Sequence, residues 1–450
     1  MSNGSAVFLG NRLNFLAIVL VLLTTIFGWF LPISWALMLV VACRLFYGNP
    51  FANIKAAFSN RLFLAFFAFF LIDVAGFFHT HDPHAQGNIV SKEAAMVAIA
   101  FVFCAGEFAD GRTYRRLITA YSLLLVAASV YCLVMAWLRY SVNQSQYELF
   151  YHPLTAPISH NAVFFSIFML FGIVFLLSRY GEPAIGFLSK RGRKLLRYAL
   201  FIFFLGMMVM LSSRLTLVIT PLILFDIISR RFSDRKKKLV LLIAGALVLI
   251  MVALLASSNN FISWRFGEIK EGQLSVLKQQ QFDPNTHFSS WDSRLLQWRY
   301  AGEILNAGHA WLFGVSPGDS QNLLDQKYIN AHMDIGNPAD GPNRHIRGYL
   351  GFNFHDQYVE TLVRTGLVGL SFLLAIFALL FRRARRSGLR EAWFVILTIA
   401  VFFIFESPLT LQDGVFLFCF FPLLVLCTPG KPQAPQAPRS GQDGWNRDNS

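Results

Sequence analysis

A histidine can act as a general base when its ring stays neutral beside a hydroxyl, and His355 has a sequence setting for that role. The run Asn353-Phe354-His355-Asp356 opens an apolar helical stretch, with Asn353 placed to cap the helix and Asp356 at its third position. A histidine there meets the positive end of the helix dipole, which favours the uncharged ring a base needs. The same helix end can hold phosphate oxygens. Arg214 follows Ser212-Ser213 between two apolar runs, Arg265 follows Trp264, and Arg294 lies four residues before Trp298. A guanidinium is always charged and grips phosphate through parallel N–H groups, so arginines converging from separate segments suit a pyrophosphate. Singly, each also fits an interfacial or ion-paired residue. Glu406, in Phe405-Glu406-Ser407-Pro408, sets a carboxylate at the edge of two late apolar runs, where it can orient a sugar or pair with an arginine. Arg364 stands four residues after Glu360, the spacing of an intrahelical pair.

Other chemistries have less support. His79-x-His81-x-x-His84 has metal-ligand residue types, but Pro83 interrupts it and a solvated loop fits better. The chain has no GxxxxGK[ST], D-x-D, HExxH or GxSxG motif, which leaves ATP use, metal-dependent sugar-nucleotide transfer and serine or zinc hydrolysis without a foothold. The five cysteines all lie within or at the ends of apolar runs and read as small buried residues, with neither a disulfide framework nor a zinc site.

The elements that must position these residues are membrane helices. Of 450 residues, 55% are hydrophobic and 14% charged, with a mean hydropathy of +0.50, a composition that excludes a disordered chain and disfavours a soluble enzyme. Apolar runs able to cross a bilayer of about 30 Å fall near 13–31, 33–47, 62–78, 94–109, 117–138, 161–178, 195–211, 215–229, 239–257, 366–381, 391–406 and 409–427. The expected fold is an all-α polytopic membrane protein of about twelve transmembrane helices, the long stretch 195–228 being broken at Ser212-Ser213-Arg214. The net charge of +14 is mostly a topology signal: Arg112/Arg115/Arg116, Lys190 to Arg197, Arg230 to Lys238 and Arg382 to Arg390 share one side, which puts both termini in the cytoplasm. No basic stripe interleaves with aromatics in a soluble domain, so nucleic acid is not expected as a partner. The expected organisation is spans one to nine over 1–257, a loop domain on the far side over 258–353, spans ten to twelve over 354–428 and a disordered cytoplasmic tail over 429–450. A loop of nearly a hundred residues is too long for a connector, and its Ser290–Leu305 stretch reads as an amphipathic helix with Leu295, Trp298, Gly302 and Leu305 on one face. All ten histidines fall on that side or at that end of a span.

Taken together, the twelve runs, the large loop before the tenth, Ser213-Arg214 with Thr216, Ser293-Arg294 followed by Trp298, Gly314-x-x-Pro317-Gly318, and His355 followed by Glu360 and Gly366 resemble the O-antigen ligases and their polymerase relatives over roughly residues 60–410. The resemblance implies a GT-C-like integral-membrane glycosyltransferase at the periplasmic face of a Gram-negative inner membrane, a monomer among membrane lipids. It implies transfer of a glycan from undecaprenyl pyrophosphate to a sugar of lipid A-core, inverting, without metal or cofactor. His355 would be the base, Arg214, Arg265 and Arg294 the holders of the pyrophosphate, and Glu406 an acceptor-orienting group. The family usually has Asn, Ser or Gln after its histidine, where this chain has Asp356. An O-antigen polymerase or a protein O-oligosaccharyltransferase would share the donor site and differ in acceptor; the chain's end soon after the last run leans toward the ligase. A lipid-linked glycan transporter would instead place its charges near the midplane on broken helices in repeated halves, and no repeat is visible here.

Overall fold

The structure is a computed structural model that describes residues 7–28, 32–231, 274–286, 288–336 and 348–427. Arg265, the apolar run 239–257, His287, His345 and the tail over 429–450 lie outside the described residues. Every regular element among those described is helical. In chain order they are α1 (Arg12–Ile26), α2 (Ile33–Phe46), α3 (Pro50–Phe58), α4 (Arg61–Ala75), α5 (Pro83–Cys104), α6 (Gly111–Asn143), α7 (Tyr151–Thr155), α8 (Ala162–Leu177), α9 (Lys190–Leu211), α10 (Arg214–Arg231), α11 (Ser290–Ala307), α12 (Pro317–Asn330), α13 (Gln357–Ser387), α14 (Arg390–Phe405) and α15 (Gln412–Leu426). Five stretches, Arg61–Phe78, α5, α6, α9 and α13, are long and apolar enough to cross a membrane. The number reaches seven if two bent pairs, α2 with α3 at 107° and Tyr151–Ile158 with α8 at 81°, each form one span. This is a helical membrane protein. The long stretch after Lys190 breaks as its sequence suggests, α9 ending on Ser212 in the left-handed region (φ 48°). The cysteines among the described residues are all unbridged, and Cys104, Cys132 and Cys419 are buried.

Two apolar cores organise these helices. The larger, rich in phenylalanine, joins the membrane helices, with Phe418 of α15 meeting Phe66 of α4 and Phe377 of α13 edge-on or tilted. The smaller gathers Leu296, Tyr300 and Ile304 of α11 with Leu324 and Tyr328 of α12, Val363 of α13 and Phe354 just before it. Tyr328 is buried there because its hydroxyl is satisfied twice, accepting from Gln297 Nε2 at 3.1 Å and donating to the Phe352 carbonyl at 3.3 Å. The buried stripe of α11 therefore runs through Leu296, Tyr300, Ala301 and Ile304 with Leu305. This corrects the expected face: Leu295, Trp298 and Gly302 are only partly buried, because α12 and Phe354 approach from one side.

The smaller core is joined to the membrane helices by an exchange of backbone hydrogen bonds. At Gly366, α13 leaves helical geometry (φ 67°, ψ −165°), which would strand the carbonyls of Val363 and Arg364 and the N–H groups of Leu367 and Val368. The 311–316 segment supplies every missing partner: Val315 N donates to Val363 O (2.8 Å), Ser316 N to Arg364 O (3.1 Å), Leu367 N to Trp311 O (2.8 Å) and Val368 N to Leu312 O (3.2 Å). The approach is so close that a Cβ on Gly314 would collide with the Arg364 backbone, and one on Gly366 with that of Leu312. Both glycines also have positive φ, so the lack of room for a Cβ and the backbone conformation act together.

A second clasp involves Asp319 in the first turn of α12. Its carboxylate accepts from the N–H groups of His81 (3.0 Å) and Asp82 (3.1 Å) and from the Ser316 hydroxyl (3.0 Å), and His81 Nδ1 lies 3.2 Å away. The His79–His84 segment is thus a loop fastened by a carboxylate, and His84 turns to Asn88. Among the described residues no three metal-ligating side chains converge. Burial raises the Asp319 carboxyl, but the His81 backbone and ring and the Ser316 hydroxyl outweigh it and hold the group below its ordinary value.

Two outcomes are expected. Gly366→Ala meets both backbone strain and collision and should cost several kcal/mol, whereas Gly388→Ala, with a similar φ of 64° but open space around it, should cost only about 1–2 kcal/mol; thermal unfolding in detergent compares them, and equal effects would argue against the joint. Asp319→Asn should lose about 1.5–3 kcal/mol at neutral pH. Because the folded Asp319 binds fewer protons than the unfolded one, its contribution is present above the ordinary aspartate value and vanishes as pH falls through the depressed one. The asparagine variant should lack that acid-side step in an unfolding series against pH.

Candidate functional site

His355 occupies a turn just before α13, and the turn is built by its neighbours. Its backbone is left-handed (φ 47°), a conformation that histidine tolerates better than branched residues. Asn353 Oδ1 accepts the His355 N–H at 3.0 Å, holding that turn. The cap of α13 is Asp356, whose carboxylate accepts from Tyr358 N (2.9 Å) and Val359 N (3.1 Å). This corrects the expectation that Asn353 caps the helix with Asp356 at its third position. Asn353 and Asp356 are both capping types, and the backbone chose the later one. Asn and Ser, two of the residues expected after the family histidine, are capping types as well, so Asp356 keeps that capacity. Burial raises the Asp356 carboxyl, opposed by those two N–H groups and by the charge of Arg294.

The segment after α14 is clamped against this turn. His355 Nδ1 lies 3.1 Å from Glu406 Oε2. Asp356 N donates to Ser407 Oγ (3.1 Å), Leu409 N to Gln357 Oε1 (2.8 Å) and Asn353 Nδ2 to Thr410 Oγ1 (3.4 Å). A carboxylate oxygen only accepts, so with Glu406 ionised the ring proton sits on Nδ1 and Nε2 keeps its lone pair. The ring is partly exposed and stands edge-on to Phe352 at 5.8 Å.

Glu406 also lines a cavity of about 480 Å³ that contains Arg214 and Arg294. Arg214 enters from the start of α10. Arg294 enters from α11, where it donates to Ser290 O (2.8 Å) and to the terminal Phe405 carbonyl of α14 (3.0 Å). Part of the lining is apolar, formed by Val218 and Ile219 of α10 and Val401 and Phe402 of α14. The structure therefore brings Arg214, Arg294 and Glu406 to one cavity, and His355 to Glu406 at its edge. Arg364 is placed elsewhere, buried against Glu360 at 2.8 Å as its spacing suggests, with Glu93 at 3.8 Å. Reasoning from sequence missed Gln357, Ser407 and Tyr151. Tyr151 lines the cavity with a positive φ of 54°. Gln357 and Ser407 carry no motif, although both adjoin residues the sequence does single out.

Membrane helices, a polar subdomain around α11 and α12 joined to them, and a cavity lined by two guanidiniums beside a histidine–carboxylate pair define a helical membrane protein with a site whose two guanidiniums can bind an anion. Residues 199–374 match the family model for O-antigen ligases. The matched region contains Arg214, Arg294, Gly314, His355 and Gly366 and stops before Glu406. No curated protein matched the chain.

Gln357 is buried and also donates to Thr361 Oγ1 at 3.2 Å. Gln357→Ala should leave Leu409 N–H without its acceptor at a cost of about 1–3 kcal/mol. Hydrogen exchange should then quicken at Leu409, and unchanged exchange there would remove Gln357 from the clamp.

Proposed function

We propose that this protein is an O-antigen ligase of GT-C-like, roughly twelve-span architecture at the periplasmic face of a Gram-negative inner membrane. In this reading the polar subdomain is its periplasmic loop domain. The enzyme transfers a glycan from undecaprenyl pyrophosphate to a sugar hydroxyl of lipid A-core with inversion. The observation that carries the reading is the shared cavity: two arginines from separate helices line it, and its Glu406 holds the ring of His355. His355 Nε2 takes the proton of the acceptor hydroxyl as that oxygen attacks the anomeric carbon. The carbon–oxygen bond to the pyrophosphate breaks, and its electrons leave with the lipid diphosphate. Arg214 and Arg294, with Arg265 as a third, bind that group and offset the charge it gains. Glu406 fixes the His355 tautomer and supports the imidazolium as it forms, a more specific role than orienting the acceptor. The apolar part of the lining suits the polyprenyl chain. The donor already carries an activated bond, so this scheme calls on neither nucleotide nor metal.

The test is transfer of a lipid-pyrophosphate-linked glycan to rough lipopolysaccharide by purified protein in EDTA. His355→Ala should lower kcat by about 10²–10⁴-fold, Arg214→Ala should abolish transfer, and Glu406→Gln should lower kcat with a smaller change in KM. Chain growth on the donor, or glycan on a protein acceptor in place of lipopolysaccharide, would reassign the enzyme as a polymerase or an oligosaccharyltransferase. Failure of every acceptor would overturn the transferase reading in favour of transport.

A further inference from the structure

A cavity of about 680 Å³ lies at the far ends of α4 and α13 from the candidate site, and four arginines line it: Arg61 at the start of α4 and Arg382, Arg383 and Arg386 near the end of α13. From Gly366 to Arg386 the helix rises about 30 Å, the thickness of a bilayer core. Among the described residues no carboxylate belongs to the wall. Among the described residues none of the four arginines has an ion-pair partner, whereas Arg139, Arg193, Arg299, Arg364 and Arg390 each do. Arg382 and Arg386 are four residues apart and so stack on one helix face, with Arg383 beside Arg386; like charges so placed repel unless an anion lies between them. The inner wall is apolar, formed by Leu62 and Leu379. Ala56 of α3 completes one edge. Helix α3 turns 107° from α2 and leaves Phe51 and Phe58 exposed, so with α2 crossing the bilayer, α3 runs along its surface at headgroup depth.

A topology signal requires only that basic residues lie on one side of the membrane. It does not require four guanidiniums, with no ion-pair partner among the described residues, around one concavity with an apolar inner wall at headgroup level. We infer that this cavity is a binding site for an anionic glycerophospholipid, the phosphodiester held by Arg61, Arg382, Arg383 and Arg386 and the acyl chains lying against Leu62 and Leu379. Planar guanidiniums grip a phosphate through paired N–H groups, and basic pockets between membrane helices suit such headgroups.

The test uses native mass spectrometry of the full-length protein in detergent, titrated with phosphatidylglycerol, cardiolipin and phosphatidylcholine, and separately with inorganic phosphate. Wild type should retain the anionic lipids in preference to phosphatidylcholine. Arg382→Gln/Arg386→Gln should lower that preference by roughly tenfold or more, and Arg382→Lys/Arg386→Lys, which keeps the basic charge of the segment for insertion, should lower it partially. Lys190→Gln/Lys194→Gln, in a separate basic cavity beside the Arg193–Glu182 pair, should leave it intact. Equal retention of phosphatidylcholine, a preference unchanged in both arginine variants, or displacement of lipid by millimolar phosphate would overturn the assignment. The readout is independent of glycosyl transfer, so it stands or falls separately from the proposed reaction.

Discussion

The four backbone hydrogen bonds across Gly366 are the constraint on which the rest of the structure depends. A membrane helix that breaks must satisfy its stranded N–H and C=O groups, because hydrocarbon offers no substitute. Here a segment of the polar subdomain supplies all four partners in register, so the break that would weaken α13 becomes the point at which two cores are joined. Side chains could reach such groups, but neighbouring backbone fixes both distance and direction. The two glycines permit the approach.

From that joint the site follows in short steps. Fixing the first turns of α13 fixes Asp356, and with it the turn that carries His355. The segment after α14 then has donors and acceptors to meet, and Glu406, Ser407 and Leu409 meet them. Arg294 extends the same logic from α11, since its bond to the Phe405 carbonyl fastens the polar subdomain to the end of a membrane helix. The cavity is bounded by parts that also hold the two cores together.

Much of the architecture is legible in sequence because a bilayer imposes long apolar runs, and helices occupy those runs wherever the chain is described. The break at Ser212-Ser213 is legible because α9 and α10 together exceed one crossing. The chemical types of His355, Arg214 and Arg294 are legible too, since such residues at the ends of apolar runs are costly unless used. The phase of α11 was misread because Leu295 and Trp298 are as apolar as Leu296 and Ile304, and the partner helix alone decides which side is covered. The cap of α13 was misread because Asn353 and Asp356 are equally able to serve. The exchange at Gly366 is invisible in sequence, for backbone groups are the same in every residue. The glycines are its only trace, and the pairing of Glu406 with His355 spans 51 positions without a local signal.

The grip of Asp319 on the loop before α5 has a consequence in time. Its partner His81 lies 238 positions earlier in the chain, and a chain growing at about 5–20 residues per second takes roughly 10–50 s to cover that interval. Until Asp319 is made, the N–H groups of His81 and Asp82 lack their carboxylate partner. Closure therefore belongs to the last part of synthesis, and the order in which the chain is made separates insertion of the early helices from assembly of the face that carries the histidine.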